Sequence, residues 1–312
     1  MVIIAQILAP VVLVIALGWS LVRLGFLSST AMGEINRLTY WVGLPALLVV
    51  RISDATPSFE RLGGLLVVLF GATAAVIALA SVVAWWGRLP DRSAVTFVHG
   101  AFRGNLVFVG LPVVVYAFAN TPQAAAIEAS VLVAIVPVVI AYNTLAVTLM
   151  QVPGRSDPLA ALQRVGRGLV SNPILLATLL GLALALAGVM MPTAVDRTLA
   201  ALGQMALPLA LIGIGGGLYA SRMGRGQYPW AWVAALMKTA LGPAVGWLIG
   251  QWVGLGDAEM RVALTLLACP SAAASYVLVA QMDGDVPLIA SIILLSHFMA
   301  LPAMIGVLAL TA

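Results

Sequence analysis

Charge is nearly absent from this sequence. Only 8% of its residues are Asp, Glu, Lys or Arg, while 62% are hydrophobic; an ordinary soluble domain is about 25% charged. Mean hydropathy is +1.11. So little charge excludes a soluble globular domain and marks an all-α polytopic membrane protein. Cysteine is as scarce. Cys269 stands alone, which excludes an internal disulfide and any Cys-rich metal site. Lys238 is the only lysine among 15 basic residues. No run of Lys or Arg occurs, so the net charge of +4 is no nucleic-acid signature. The two histidines, His99 and His297, fall in different apolar stretches without clustered carboxylates. Neither HExxH nor GxSxG stands in its expected context, so no catalytic or cofactor-holding constellation emerges.

What remains is a succession of apolar stretches long enough to cross about 30 Å of hydrocarbon. They lie near 3–23, 33–52, 61–87, 93–118, 123–151, 169–190, 193–220, 228–253, 258–281 and 286–311. Turn residues separate them, such as Asp54-Ala55-Thr56-Pro57 and Asp283-Gly284-Asp285. The longest linker, 152–168, is too short for a domain. Met1 runs into the first stretch with no basic leader, so that stretch is expected to stay in the mature protein. With ten spans both termini share a side. Arg51, Arg61, Arg197 and Arg261 fall on it, and eight arginines fall on the other. The bias predicts a cytoplasmic linker and both termini outside.

The halves repeat. Pro10 and Pro173, Gly18 and Gly181, and Leu44-Pro45 and Leu207-Pro208 are each 163 apart, and Pro137 and Pro302 are 165 apart. This predicts a first repeat over 1–151, the linker 152–168 and a second repeat over 169–312. Five helices per repeat force the second copy in from the opposite face, an inverted arrangement with its site near the midplane. Two breaks sit in matching spans. Arg103-Gly104-Asn105 lies mid-way along the fourth, and Cys269-Pro270-Ser271 mid-way along the ninth. Gly104 lets the backbone unwind without steric cost, and Pro270 suits the first position of a new half-helix. Unpaired backbone is tolerated at membrane depth only where it lines a cavity or is buried in protein. The half-helix N-termini following the breaks would converge from opposite sides, each with roughly half a positive charge. A carboxylate is their natural guest. Asn105 offers an amide, and Ser271, Ser275 and Tyr276 hydroxyls, with Ala272 between them.

Other polar residues have two readings. Arg103 is either a counter-charge for an anion or a structural partner of a carboxylate or carbonyl. Lys238 is either a movable charge in coupling or a tether capping a broken helix. Glu128 is a carboxylate for proton coupling or an interface residue. His297 and His99 are titrating groups or packing residues, and Asn143 faces the cavity or does not. Gly213, Gly215, Gly216 and Gly217 suit close helix packing rather than a phosphate loop.

At these residues the chain resembles the auxin efflux carrier family, bacterial type. The resemblance rests on Phe102-Arg103-Gly104-Asn105-Leu106-Val107-Phe108-Val109-Gly110-Leu111-Pro112 and on Cys269-Pro270-Ser271 through Ala280-Gln281. Ser171-Asn172-Pro173, Leu207-Pro208-Leu209-Ala210-Leu211 and Ala300-Leu301-Pro302 are also similar to it. It implies ten helices in inverted repeats with crossed discontinuous helices four and nine, as in bile-acid symporters and some sodium/proton antiporters. It further implies a scaffold of helices one, two, six and seven that forms a homodimer, with elevator-like movement of the rest. The long mid-chain loop of plant auxin exporters is absent, which points to a carrier in a bacterial inner membrane. A substrate contact carries over to Asn105, and the crossing position to Pro270. The expected function is secondary transport of a small carboxylate anion, with proton or Na+ coupling. The rivals are a sodium-coupled symporter and a membrane ligand sensor with no transport cycle.

Overall fold

Proline shapes these helices. The structure is a computed structural model that describes residues 2–54, 59–151, 173–220 and 228–311; the linker at 152–168 and the start of the sixth expected span lie outside them. Helix α1 (Val2–Arg23) is followed by α2 (Ser29–Leu38), capped by the Ser28 hydroxyl, which accepts from the Ala31 N–H. A π-helical turn at Thr39–Gly43 joins α2 to α3 (Leu44–Ser53), whose second residue is Pro45. Proline has no N–H and its ring crowds the preceding turn. Widening that turn absorbs both defects without ending the helix. The device recurs twice. Leu106–Gly110 precedes α6 (Leu111–Phe118) and its Pro112, and Met237–Leu241 joins α11 (Tyr228–Leu236) to α12 (Gly242–Trp252) and its Pro243. The remaining elements are α4 (Phe59–Trp86), α5 (Asp91–Phe102), α7 (Ala124–Gln151), α8 (Pro173–Ala187), α9 (Thr193–Gln204), α10 (Ala206–Ala220), α13 (Asp257–Ala268), α14 (Ala274–Gln281) and α15 (Val286–Leu310).

Among the described residues, five helical runs are long and apolar enough to cross a membrane: Leu62–Trp86, Ala124–Met150, Thr193–Tyr219, Pro229–Trp252 and Val286–Leu310. That is fewer than the ten expected spans, and the reason is local. The stretch at 33–52 is divided among α2, a π-helical turn and α3, those at 93–118 and 258–281 are each cut near their middle, and those at 3–23 and 169–190 count only over Ala9–Arg23 and Pro173–Ala187.

The chain divides into two compact units. One comprises Met1–Leu62, Val107–Pro137 and Gly166–Ala220, the other Gly63–Leu106, Val138–Val165 and Ser221–Ala312. In the first unit, glycines bring backbones together. A Cβ added at Gly18 would overlap the Ile212 backbone, and one at Gly215 would overlap Ile15 and Trp19. Gly213 and Gly216 leave room for Asn36 and Met32 in the same way. The glycine run of α10 is thus a packing face against α1 and α2, as small residues serve in membrane helices.

In the second unit, α5 is tied to the start of α15. Ser93 Oγ donates to Asp285 Oδ2 at 2.7 Å, the Asp285 N–H donates to Thr96 Oγ1 at 2.9 Å, and Asp285 Oδ1 caps α15 by accepting from the Leu288 N–H. Phe97 meets Trp230 edge to face at 6.0 Å. A Cβ at Gly64 would meet Leu255 and one at Gly87 would meet Trp230, so α4 runs antiparallel to α11 and α12. Trp85 and Trp86 therefore stand exposed at one end of this unit and Trp252 at the other. That is where amphipathic rings belong at the two faces of a bilayer.

Candidate functional site

Helix α5 stops at Phe102 because Arg103 turns extended, at φ −75° and ψ 96°. Helix α13 stops at Ala268 because Cys269 turns extended, at φ −52° and ψ 146°. A residue before proline is driven out of the helical region, and Pro270 supplies that push. The two interruptions meet. Gly104 and Ser271 form an antiparallel bridge. The Asn105 N–H donates to the Pro270 carbonyl at 2.8 Å, and the Ala272 N–H donates to the Arg103 carbonyl at 2.9 Å. Each broken helix thus satisfies backbone groups of the other, as backbone away from water requires.

Side chains secure what the bridge leaves over. Lys238, on the π-helical turn between α11 and α12, is 3% exposed and donates Nζ to the Leu267 carbonyl at 2.5 Å. Leu267 belongs to the last turn of α13, where carbonyls lack intrahelical partners and the dipole is negative. Lys238 also lies against Gly104, where an added Cβ would stand 2.9 Å from its Cε and 3.2 Å from its Nζ. Of the two readings of Lys238, this geometry matches the tether. Arg103 extends toward α7 and donates Nη2 to Asn143 Oδ1 at 2.6 Å. Asn143 therefore meets the break through Arg103.

Ser296 was not singled out by the sequence. Its Oγ accepts the Ser271 N–H at 2.9 Å and donates to the Ile293 carbonyl. Its signal in the sequence was the adjacent polar pair Ser296-His297 in a largely apolar helix.

The remaining candidates scatter. Asn105 is buried, and its side-chain amide makes no hydrogen bond among the described residues. Ala272 is buried beside it in sequence to the bridge. Ser271 Oγ and Ser275 Oγ are buried without a hydrogen-bond partner among the described residues. Tyr276, in the first turn of α14, is exposed. His297 Nδ1 lies 2.7 Å from the Ile293 carbonyl. His99, one turn before the first break, is fully buried, with its ring edge to face with Phe102 at 5.8 Å. Phe102 in turn meets Tyr142, whose hydroxyl is 3.0 Å from Thr73 Oγ1. Glu128 belongs to the first unit, where its Oε1 lies 3.3 Å from Arg51 Nε.

The assembled cluster holds amides, hydroxyls and two cationic side chains on interrupted backbone, with no carboxylate among the groups named. Such a set of groups can accept a small polar or anionic guest. Against known proteins, the sequence model of a family described as membrane transport protein matches residues 3–308. No curated protein matches the chain.

Proposed function

This chain belongs to the membrane transport protein family, and from that premise we propose that it is a secondary carrier of small carboxylate anions, bound where the two interrupted helices meet. The observation that carries this reading is the backbone bridge between Gly104 and Ser271. It joins the two segments whose free helix ends can turn toward one guest. Asn105 supplies an amide to the carboxylate, and the otherwise unpartnered hydroxyls of Ser271 and Ser275 supply donors. Gly104, Pro270 and Ala272 hold the backbone in place. Arg103 braces the break through Asn143 while adding positive potential.

In this scheme ten spans form two inverted five-helix repeats, with the fourth and ninth crossing at the site. The first compact unit contains α1 to α3, α6, the first half of α7 and α8 to α10; within it, α1 to α3 and α8 to α10 are assigned to the scaffold and the contact face of a homodimer. The second contains both breaks and suits a moving carrier that exposes the anion to each side in turn. The membrane is the inner membrane of a bacterium, with both termini outside. Sodium requires a cage of oxygens, and the negative end of α13 already has Lys238 as its cation. Coupling is therefore assigned to protons or the membrane potential, with His297 and Glu128 as the residues to probe for it.

Asn105→Ala tests the site. In proteoliposomes loaded with a labelled monocarboxylate, the variant is expected to lose flux while eluting as folded protein. Unchanged transport would sink the assignment.

A further inference from the structure

Arg51 lies in the last turn of α3 and reaches Glu128 in the second turn of α7. The contact is made by Nε, 3.3 Å from Glu128 Oε1. The arginine side chain is 52% exposed and the glutamate 11%. The two Nη groups of Arg51 make no hydrogen bond among the described residues. A guanidinium held by its Nε edge keeps a second pair of N–H donors free. That pair matches the two oxygens of a carboxylate.

Two hollows open beside this ion pair, of about 300 Å³ and about 280 Å³, and both are lined by Arg51 and Glu128. These volumes stand at the low end of small-molecule sites, which run from about 300 Å³ upward. The first hollow is walled by Val115, Phe118 and Ile127, with Ala124 of the first turn of α7 at its edge. The second is walled by Leu47, Val50 and Leu207, with Gln204 as a polar group. All of these residues belong to the first compact unit, whereas both helix breaks belong to the second.

We propose that the Arg51 recess is a second anion site, separate from the helix breaks, which takes a monocarboxylate carrying an apolar body. The carboxylate sits on the free Nη pair, and the body lies against Val115, Phe118 and Ile127. The start of α7, a helix of 28 residues, adds a favourable positive end. A dicarboxylate is disfavoured. Its second charge would face either Glu128 or an apolar wall, and neither offers a partner. Glu128 orients the guanidinium but also repels the guest, so it sets the affinity.

The test is calorimetric titration of benzoate into purified full-length protein. Benzamide and succinate serve as the neutral and doubly charged comparisons. Asn105→Ala should still bind benzoate, and Asn105→Ala/Arg51→Gln should not. Arg51→Lys, which keeps the charge but not the fork, should weaken binding by about tenfold, the loss of one charge-assisted hydrogen bond. Glu128→Gln should tighten it several-fold. The proposal is overturned if wild-type protein ignores benzoate, if Arg51→Gln binds it unchanged, or if Asn105→Ala abolishes it. Succinate binding equal to benzoate in Asn105→Ala overturns the monocarboxylate class. If Arg51→Gln does not fold, Arg51→Lys decides: unchanged affinity there refutes the fork. Flux through Asn105→Ala tests the carrier site separately, so the two readings fail by different measurements.

Discussion

Gly104→Ala isolates the contact that lets the two breaks meet. The new Cβ would stand 2.9 Å from Lys238 Cε, 3.2 Å from Lys238 Nζ and 3.2 Å from Leu106 Cδ2. Comfortable carbon contacts are about 3.5–4.0 Å, so Lys238 would have to withdraw by roughly half an ångström or more. A surface lysine would do so freely. This one is 3% exposed and its ammonium is held on the Leu267 carbonyl at 2.5 Å. Overpacking a tight site costs about 1–3 kcal/mol, and a hydrogen bond to a charged donor is worth about 1.5–3 kcal/mol. Partial loss of the second on top of the first gives an expected destabilisation of about 2 kcal/mol. A double-mutant cycle with Lys238→Ala separates this clash from any general dislike of alanine at the break. With the lysine gone, Gly104→Ala should cost no more than about 0.5 kcal/mol, leaving a coupling of about 1.5 kcal/mol. The readout is reversible unfolding of the four proteins in detergent. Equal costs in both backgrounds would show that Gly104 is not there to make room for Lys238.

Ser296→Ala removes the acceptor of the Ser271 N–H and leaves a buried backbone donor unsatisfied. A loss of about 1–3 kcal/mol is expected in the same unfolding assay, and a change within error would mean that Ser271 finds another acceptor. Replacing sodium by N-methylglucamine on both sides of the proteoliposome should leave flux undiminished, because Lys238 already stands at the negative end of α13. A strict sodium requirement would overturn that assignment.

The breaks were legible because their residues carry a backbone mechanism. Pro270 forces Cys269 out of the helix, so that interruption could be placed to the residue; Gly104 marks the other, where it leaves room for Lys238 rather than adopting a left-handed backbone. The closing partners were less legible. Ser296 is 25 residues from Ser271 and Lys238 is 29 from Leu267. Neither distance has a sequence signature, since only tertiary packing brings them together. The sequence reading of Lys238 stayed divided between a moving charge and a tether, and its contact with the Leu267 carbonyl had no signal in the sequence. The π-helical turns had a visible signal that the sequence reading did not use: Pro45, Pro112 and Pro243 each stand two residues beyond one. Glu128 drew notice as a carboxylate in an apolar stretch. Its partner Arg51 entered only as a loop charge in the orientation count, because an ion pair 77 positions apart in sequence leaves no periodic trace.

The sign of the proposed guest follows from which helix ends are already answered. An interrupted helix has two new ends, one of carbonyls and one of amides, with roughly half a charge of opposite sign on each. Two interrupted helices therefore offer two ends of each kind. The carbonyl end of α13 is met by the Lys238 ammonium, and the Arg103 carbonyl at the end of α5 accepts the Ala272 N–H. On the amide side, Asn105 and Ala272 spend their N–H groups in the bridge, and Ser271 spends its own on Ser296. These bonds exhaust the groups nearest the meeting point but supply no negative charge against the positive ends. The hydroxyls of Ser271 and Ser275 do not decide the matter, since a hydroxyl donates and accepts equally well. On the proposed reading the cations do: Lys238 compensates the negative end of α13, and Arg103, hydrogen-bonded to Asn143, adds a further positive charge. On that reading a cationic guest would meet Lys238 and Arg103 as like charges, whereas a carboxylate would meet them as counter-charges.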